Sequence, residues 1–184
     1  EKLFKKLSDY ADSQAHWVAI GTIDDLDQFV ENNITEVEDY ELNFRMLKTR
    51  EGDARKLPDY YRELKCVTVD ATGVKETISD LLRKFHESLR TALRKSAQND
   101  IDTLQAFVDE SREALSSNAT SVDEIAAATQ KWGEITEQMV GKKDLKMAME
   151  QKCLFFKDQP REAPDVSVLS SSWDDLELRL SAHE

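Results

Sequence analysis

The stretch VKETISDLLRKFHESLRTALRKSAQNDIDTLQAFVDESREALSSNATSVDEIAAATQKW, Val74 to Trp132, contains neither glycine nor proline. Its apolar residues recur every three or four positions: Val74, Ile78, Leu81, Phe85, Leu89 and Leu93, then Ile101, Leu104, Val108 and Leu115. The two residue types that cost a helix most are missing, and the spacing matches a 3.6-residue turn, so the run reads as helix. Gly73 releases it and the polar string Ser116 to Thr120 interrupts it. One helix over 74–115 is predicted, roughly 60 Å long at 1.5 Å per residue. A helix with one apolar stripe needs a partner surface along that stripe, and it is scaffold before it is chemistry.

Two further helices supply such a surface. Ser121 reads as an N-cap, with Asp123 and Glu124 in the first turn, and Val122, Ile125, Trp132, Ile135 and Met139 make the next stripe. Leu145, Met149, Cys153 and Phe156 carry it to about Lys157, with Gly133 and Gly141 as weak points. Pro160 and Pro164 bound a loop, and Asp165 begins a last helix over 165–184 that runs on beyond the chain. There Val166, Leu169, Trp173, Leu176 and Leu180 are spaced three, four, three and four, a heptad seam. Short connections between long helices predict antiparallel neighbours.

Before Gly73 the pattern is shorter. Residues 1–15 read as a helix with Leu3, Phe4, Leu7, Tyr10 and Ala11 on one face, and Trp17 to Ile23 as an apolar connector closed by Gly21. Asp24 and Asp25 open a short helix carrying Leu26, Phe29 and Val30, since acids suit the positive N-terminal end. Thr35 with Glu38 fits a capping box ahead of Val37, Tyr40, Phe44 and Leu47, a helix ending near Gly52. Leu64 to Val69 is the one β-like patch and, without an evident partner, reads as an extended connector. The expected fold is all-α: an elongated bundle of long antiparallel helices (73–184), preceded by short helices and an extended connector (1–72).

Composition narrows the function classes. A net charge of −12 disfavours nucleic acid as main partner, because phosphate binding needs a cationic surface. No run of 18 apolar residues predicts a membrane span. Cys66 and Cys153 lie far apart and suggest reduced thiols rather than a disulfide framework. The sequons at Asn33 and Asn118 read as chance. The chain starts without Met in helix-like sequence and reads as cut from a longer polypeptide at both ends.

Candidate chemistry is sparse. There is no Gly-rich phosphate loop, GxSxG or HExxH. His16, His86 and His183 are scattered, and neither cysteine has a neighbour at metal-ligand spacing. Asp24, Asp25 and Asp27 lack the glycine and terminal glutamate of a calcium loop, so no metal or cofactor site is expected. Charge is distributed unevenly, however. From Leu7 to Phe44 there are ten acids and no Lys or Arg, whereas 74–99 carries Lys75, Arg83, Lys84, Arg90, Arg94 and Lys95. Either both are solvated faces, or Asp24, Asp25, Glu38 and Asp39 dock along Arg83, Arg90 and Arg94, or an acidic partner does; exposed pairs of this kind would set orientation more than affinity.

Several short strings, spread over most of the chain, carry a resemblance. They are Trp17-Val18-Ala19-Ile20-Gly21, Val37-Glu38-Asp39-Tyr40 leading to Asn43-Phe44, Leu57-Pro58, Lys65-Cys66 and Asp80-Leu81-Leu82. Ser121-Val122-Asp123-Glu124-Ile125 and Trp173-Asp174-Asp175-Leu176-Glu177 into Ser181-Ala182-His183-Glu184 complete the set. Together they resemble the dynein heavy chains, in particular the tail of the cytoplasmic dynein 2 class that drives retrograde intraflagellar transport. The resemblance implies a mechanical stem before the linker and AAA+ motor, in the cytoplasm and cilium or flagellum and associated with the cytoskeleton. It carries no catalytic residue to any position here; ATP and Mg would belong to the parent motor. Implied partners are neighbouring heavy-chain segments, a second heavy chain and transport-train proteins, with intermediate and light intermediate chains mainly upstream. The loop Gln159-Pro160-Arg161-Glu162-Ala163-Pro164 departs from the family's glycine run, which bears on the joint's flexibility.

The residues expected to matter are packing ones: Phe85, Leu89 and Leu93; Ile125, Trp132 and Ile135; Trp173, Leu176 and Leu180. Trp132-x-x-Ile135 and Trp173-x-x-Leu176 are also similar to spectrin-like repeats, so a helical adaptor is the alternative in another class. The stem of an axonemal or cytoplasmic 1 dynein is a third.

Overall fold

A helix of 44 residues, Thr72–Leu115 (α5), organises the computed structural model. Described are all residues but 1, 22, 24, 65–66, 117–120 and 183–184, and the side chains at 18–20, 63–64 and 67 are left aside too. Asp24, Cys66, the Asn118 sequon and His183 thus lie outside the described residues. The elements are α1 (Lys2–Ser13), α2 (Ala15–Gly21), α3 (Leu26–Asn33), α4 (Val37–Lys56), β1 (Tyr60–Leu64), β2 (Val67–Asp70), α5, α6 (Val122–Leu154) and α7 (Ser167–Ser181). The fold is mostly helical, as the periodicity predicts.

The helix ends follow local chemistry. Asp25 caps α3 by accepting from the Gln28 N–H at 3.0 Å. Asp70 accepts from the Thr72 N–H and Oγ1–H at 3.0 and 2.6 Å, which starts α5 and holds the Asp70 carboxyl below its ordinary range. At α6, Ser121 and Glu124 form a reciprocal capping box. Asp165 accepts from the Ser167 N–H at 2.9 Å ahead of α7, after a 3-10 turn at Pro160–Glu162.

Four local expectations differ from the structure. The cap of α4 sits one residue later than Thr35: Glu36 is the N-cap, and its N–H donates to Asp39 Oδ2 at 3.3 Å. That helix also passes Gly52 and stops at Leu57, where Pro58 disfavours helical backbone in the residue before it. Of the expected Trp17–Ile23 connector, Trp17 to Gly21 belongs to helix α2, and the expected extended connector Leu64–Val69 is part of an antiparallel hairpin, β1 with β2.

The chain packs as two compact units, 1–92 and 93–184. The sequence-based division at 73 marks the start of α5; the packing divides inside that helix instead, because its first turns share a core with the elements before it. In the first unit Ile78, Leu82, Phe85 and Leu89 of α5 are buried along with Trp17, Val30, Ile34, Tyr40, Leu47 and Ala54. Phe29 of α3 meets Phe85 edge-on at 6.4 Å, and Phe44 of α4 meets His86 the same way at 5.4 Å. Tyr10 of α1 stacks on Tyr61 of the hairpin at 4.3 Å. Aromatic pairs of this kind add about 0.5–1.5 kcal/mol beyond burial.

The second unit is a three-helix core. Ile101, Leu104, Phe107 and Val108 of α5, Ile135, Met139 and Met149 of α6, and Leu169, Trp173 and Leu176 of α7 form one cluster. Contacts fix the directions. Asp100 meets Lys152 while Phe107, further along α5, meets Lys142, so α5 and α6 run antiparallel; Trp132 Nε1 donates to the Leu180 carbonyl and Lys143 pairs with Glu177, so α6 and α7 do too.

Candidate functional site

Most of the packing residues singled out from the sequence lie inside. Phe85, Leu89, Leu93, Ile135, Trp173 and Leu176 are buried, and Trp132 and Leu180 half-buried. Ile125 is different: it is 54 % exposed, and Val122 beside it is more exposed still. The first turns of α6 carry the stripe in sequence but show it to solvent.

The charged candidates divide. Asp25 and Asp39 serve as capping groups, and Glu38 is exposed. Arg83 bonds Asp80 and Glu87 on its own helix, which holds its guanidinium firmly charged. Arg90 is half-buried and Arg94 exposed. Among the described residues, Asp25 and Asp27 of the acidic segment line an open groove of ≈ 430 Å³ together with Lys84, Glu87, Ser88 and Thr91 of the basic helix. Asp59, just before the hairpin, pairs with Lys75 at 2.8 Å. Exposed pairs like these are each worth well under 1 kcal/mol.

The one charged pair in a core position among the described residues is absent from the sequence candidates. Lys152 Nζ lies 2.6 Å from Asp100 Oδ2 and 2.8 Å from Ser96 Oγ, with Asp100 and Lys152 both buried. Removing one partner would strand the other charge, while replacing both by apolar residues of like size is close to neutral. A sequence signal existed. Asp100 falls between Ala97 and Leu104, and Lys152 after Met149, so opposite charges occupy core positions on neighbouring helices. Nearby, Lys142 lies over the Phe107 ring at 5.4 Å and Lys146 over the Trp173 ring at 5.8 Å. Cys153 is half-buried beside Met149, and burial pushes its thiol pKa up, which makes it a poor nucleophile. Among the described residues no three His, Cys, Asp or Glu side chains are grouped to hold a metal ion, and no helix is long and apolar enough to cross a membrane.

What stands out is thus packing, with polar fastening between helices. No family model matches the chain. Whole-chain comparison is more informative. Cytoplasmic dynein 2 heavy chain 1 of Chlamydomonas reinhardtii is 31% identical over 181 residues, 95% of this chain. That of Tripneustes gratilla is 31% identical and that of Homo sapiens 29%, each over 185 residues and 100% of this chain. The chain is homologous to a segment of the cytoplasmic dynein 2 heavy chains. It spans about 4% of the length of these relatives. Alignment over nearly the whole chain sets the dynein heavy-chain reading above that of a spectrin-like adaptor.

Proposed function

We propose that this chain is a non-catalytic part of the tail of a dynein heavy chain, a stem segment that transmits force between the dimerising, cargo-binding region and the AAA+ microtubule motor. The motor would be the one that drives retrograde intraflagellar transport in the cilium or flagellum. The observation that carries the reading is the alignment itself: essentially all of this chain matches about 4% of each dynein 2 heavy chain. The helical cores described above suit a segment whose work is to hold shape under tension. Its partners are then adjoining heavy-chain segments, a second heavy chain and the transport train, with intermediate and light intermediate chains held mainly upstream. ATP and Mg act elsewhere in the parent chain, and no cofactor is assigned to these residues.

The test is made in the parent heavy chain. Trp173→Asp, which places a charge in the core of the second unit, should leave basal ATPase within about twofold and cut retrograde velocity at least severalfold. A loss of ATPase matching the loss of transport would place this segment in the motor's chemistry and contradict the reading.

A further inference from the structure

The β1–β2 hairpin is out of place in a helical protein. A two-stranded hairpin is marginal in water on its own, and its outer edges offer unpaired main-chain donors and acceptors. One face has support, from Tyr10 stacked on Tyr61. Among the described residues no third strand adds to either edge.

The two edges are unequal. Between the pairs Tyr61↔Val69 and Leu64↔Val67, β1 has two residues, Arg62 and Glu63, where β2 has only Thr68. The extra residue is a bulge in β1, which bends that strand and blunts its edge. Arg62 further guards it, its guanidinium 5.6 Å from the Tyr60 ring centroid. By contrast β2 is regular, and its Val67-Thr68-Val69 run is β-branched throughout.

The direction of the main chain follows from one bond. The Ala71 N–H donates to the Asp59 carbonyl at 2.9 Å, so Asp59 and Ala71 are a hydrogen-bonded pair. Antiparallel ladders alternate, so Val69 is turned toward β1 while the peptide groups of Thr68 and Asp70 point away from it. Both residues are exposed. The outer edge of β2 therefore presents main-chain groups in register, with the Asp70 carboxylate beside them on a chain of net charge −12.

We infer that the outer edge of β2 is a docking site for an extended, basic segment of a partner protein, which adds to the hairpin as a third strand. The main-chain hydrogen bonds supply the recognition of an extended backbone, and the charge supplies the preference for Lys or Arg. A second copy of this chain is a poor occupant on charge grounds, since it would bring −12 against −12.

The experiment titrates the 184-residue chain with a synthetic ten-residue peptide of alternating Val and Lys, read by amide exchange and NMR shifts. A second peptide of the same sequence, N-methylated at alternate residues, keeps the charge and cannot pair. The expected result is slowed exchange at the Thr68 and Asp70 amides with the first peptide and none with the second. Thr68→Pro, which removes an outward donor, should weaken binding about tenfold. Asp70→Asn, which keeps an oxygen to accept from Thr72, should weaken it about two- to fivefold. Equal binding of the two peptides, or shifts that miss Thr68 and Asp70, would overturn the proposal. So would dimerisation through this edge in sedimentation without peptide. If Thr68→Pro loses the Val69 amide protection that marks the hairpin, the pair of peptides still decides.

Discussion

Trp173 shows what a single residue does in this fold. It is 2% exposed, packs on Phe107 at 6.4 Å between ring centroids, and has Lys146 over its ring. Trp173→Ala should cost about 3–5 kcal/mol in urea unfolding, through lost burial and the cavity left behind. The exposed Ile125 makes the contrast: Ile125→Ser should change stability by less than about 0.5 kcal/mol. The buried pair gives a sharper case. Lys152→Met alone strands the Asp100 carboxylate and should cost about 3–5 kcal/mol, whereas Asp100→Leu with Lys152→Met should come within about 1 kcal/mol of the parent. A double mutant as unstable as the single would show that packing at this layer, rather than stranded charge, sets the loss. Glu177 gives a pH dependence. Its hydrogen bond to Lys143 holds its pKa below the ordinary 4.5 for glutamate. A depressed carboxylate contributes stability above its unfolded pKa and loses it as pH falls through the folded one. Acid titration of Glu177→Gln should therefore run closer to the parent below about pH 4.5 than above it, with a small gap because the pair is largely exposed.

At the scale of elements, the long helices were legible because their signal is redundant. The α5 stripe repeats over many turns, and α6 has an independent start signal in Ser121 and Glu124. The hairpin was not legible. The bulge at Arg62 and Glu63 breaks the period-two alternation of β1, so the Leu64–Val69 patch shows no partner in the sequence. The run from Trp17 to Gly21 has no polar residue to set a period, so the sequence does not mark it as helix. The α4 cap differs by one residue because Thr35/Glu38 and Glu36/Asp39 both have capping spacing, and only geometry separates them. Of the packing candidates, Ile125 stays exposed, because periodicity gives a face, not where along the helix its partners begin. Gly133 and Gly141 sit inside α6 with open space where a Cβ would go. Gly141→Ala should therefore raise stability by about 0.5–1 kcal/mol by thermal unfolding, since helix propensity improves and nothing is displaced.

For the whole molecule, each unit has buried apolar residues of its own, and in the second unit Arg112–Asp175, Lys143–Glu177 and Lys152–Asp100 pair across helices. That arrangement suits a piece of a far longer polypeptide, in keeping with an alignment that covers about 4% of each dynein 2 heavy chain. The most direct measurement reads the parent transcript beyond Glu184. The stem account predicts a very long open frame with several GxxxxGK[ST] phosphate loops, the Gly-rich turns that cradle nucleotide phosphates in an AAA+ motor. A stop codon soon after Glu184, or further helical repeats with no phosphate loop, would contradict it.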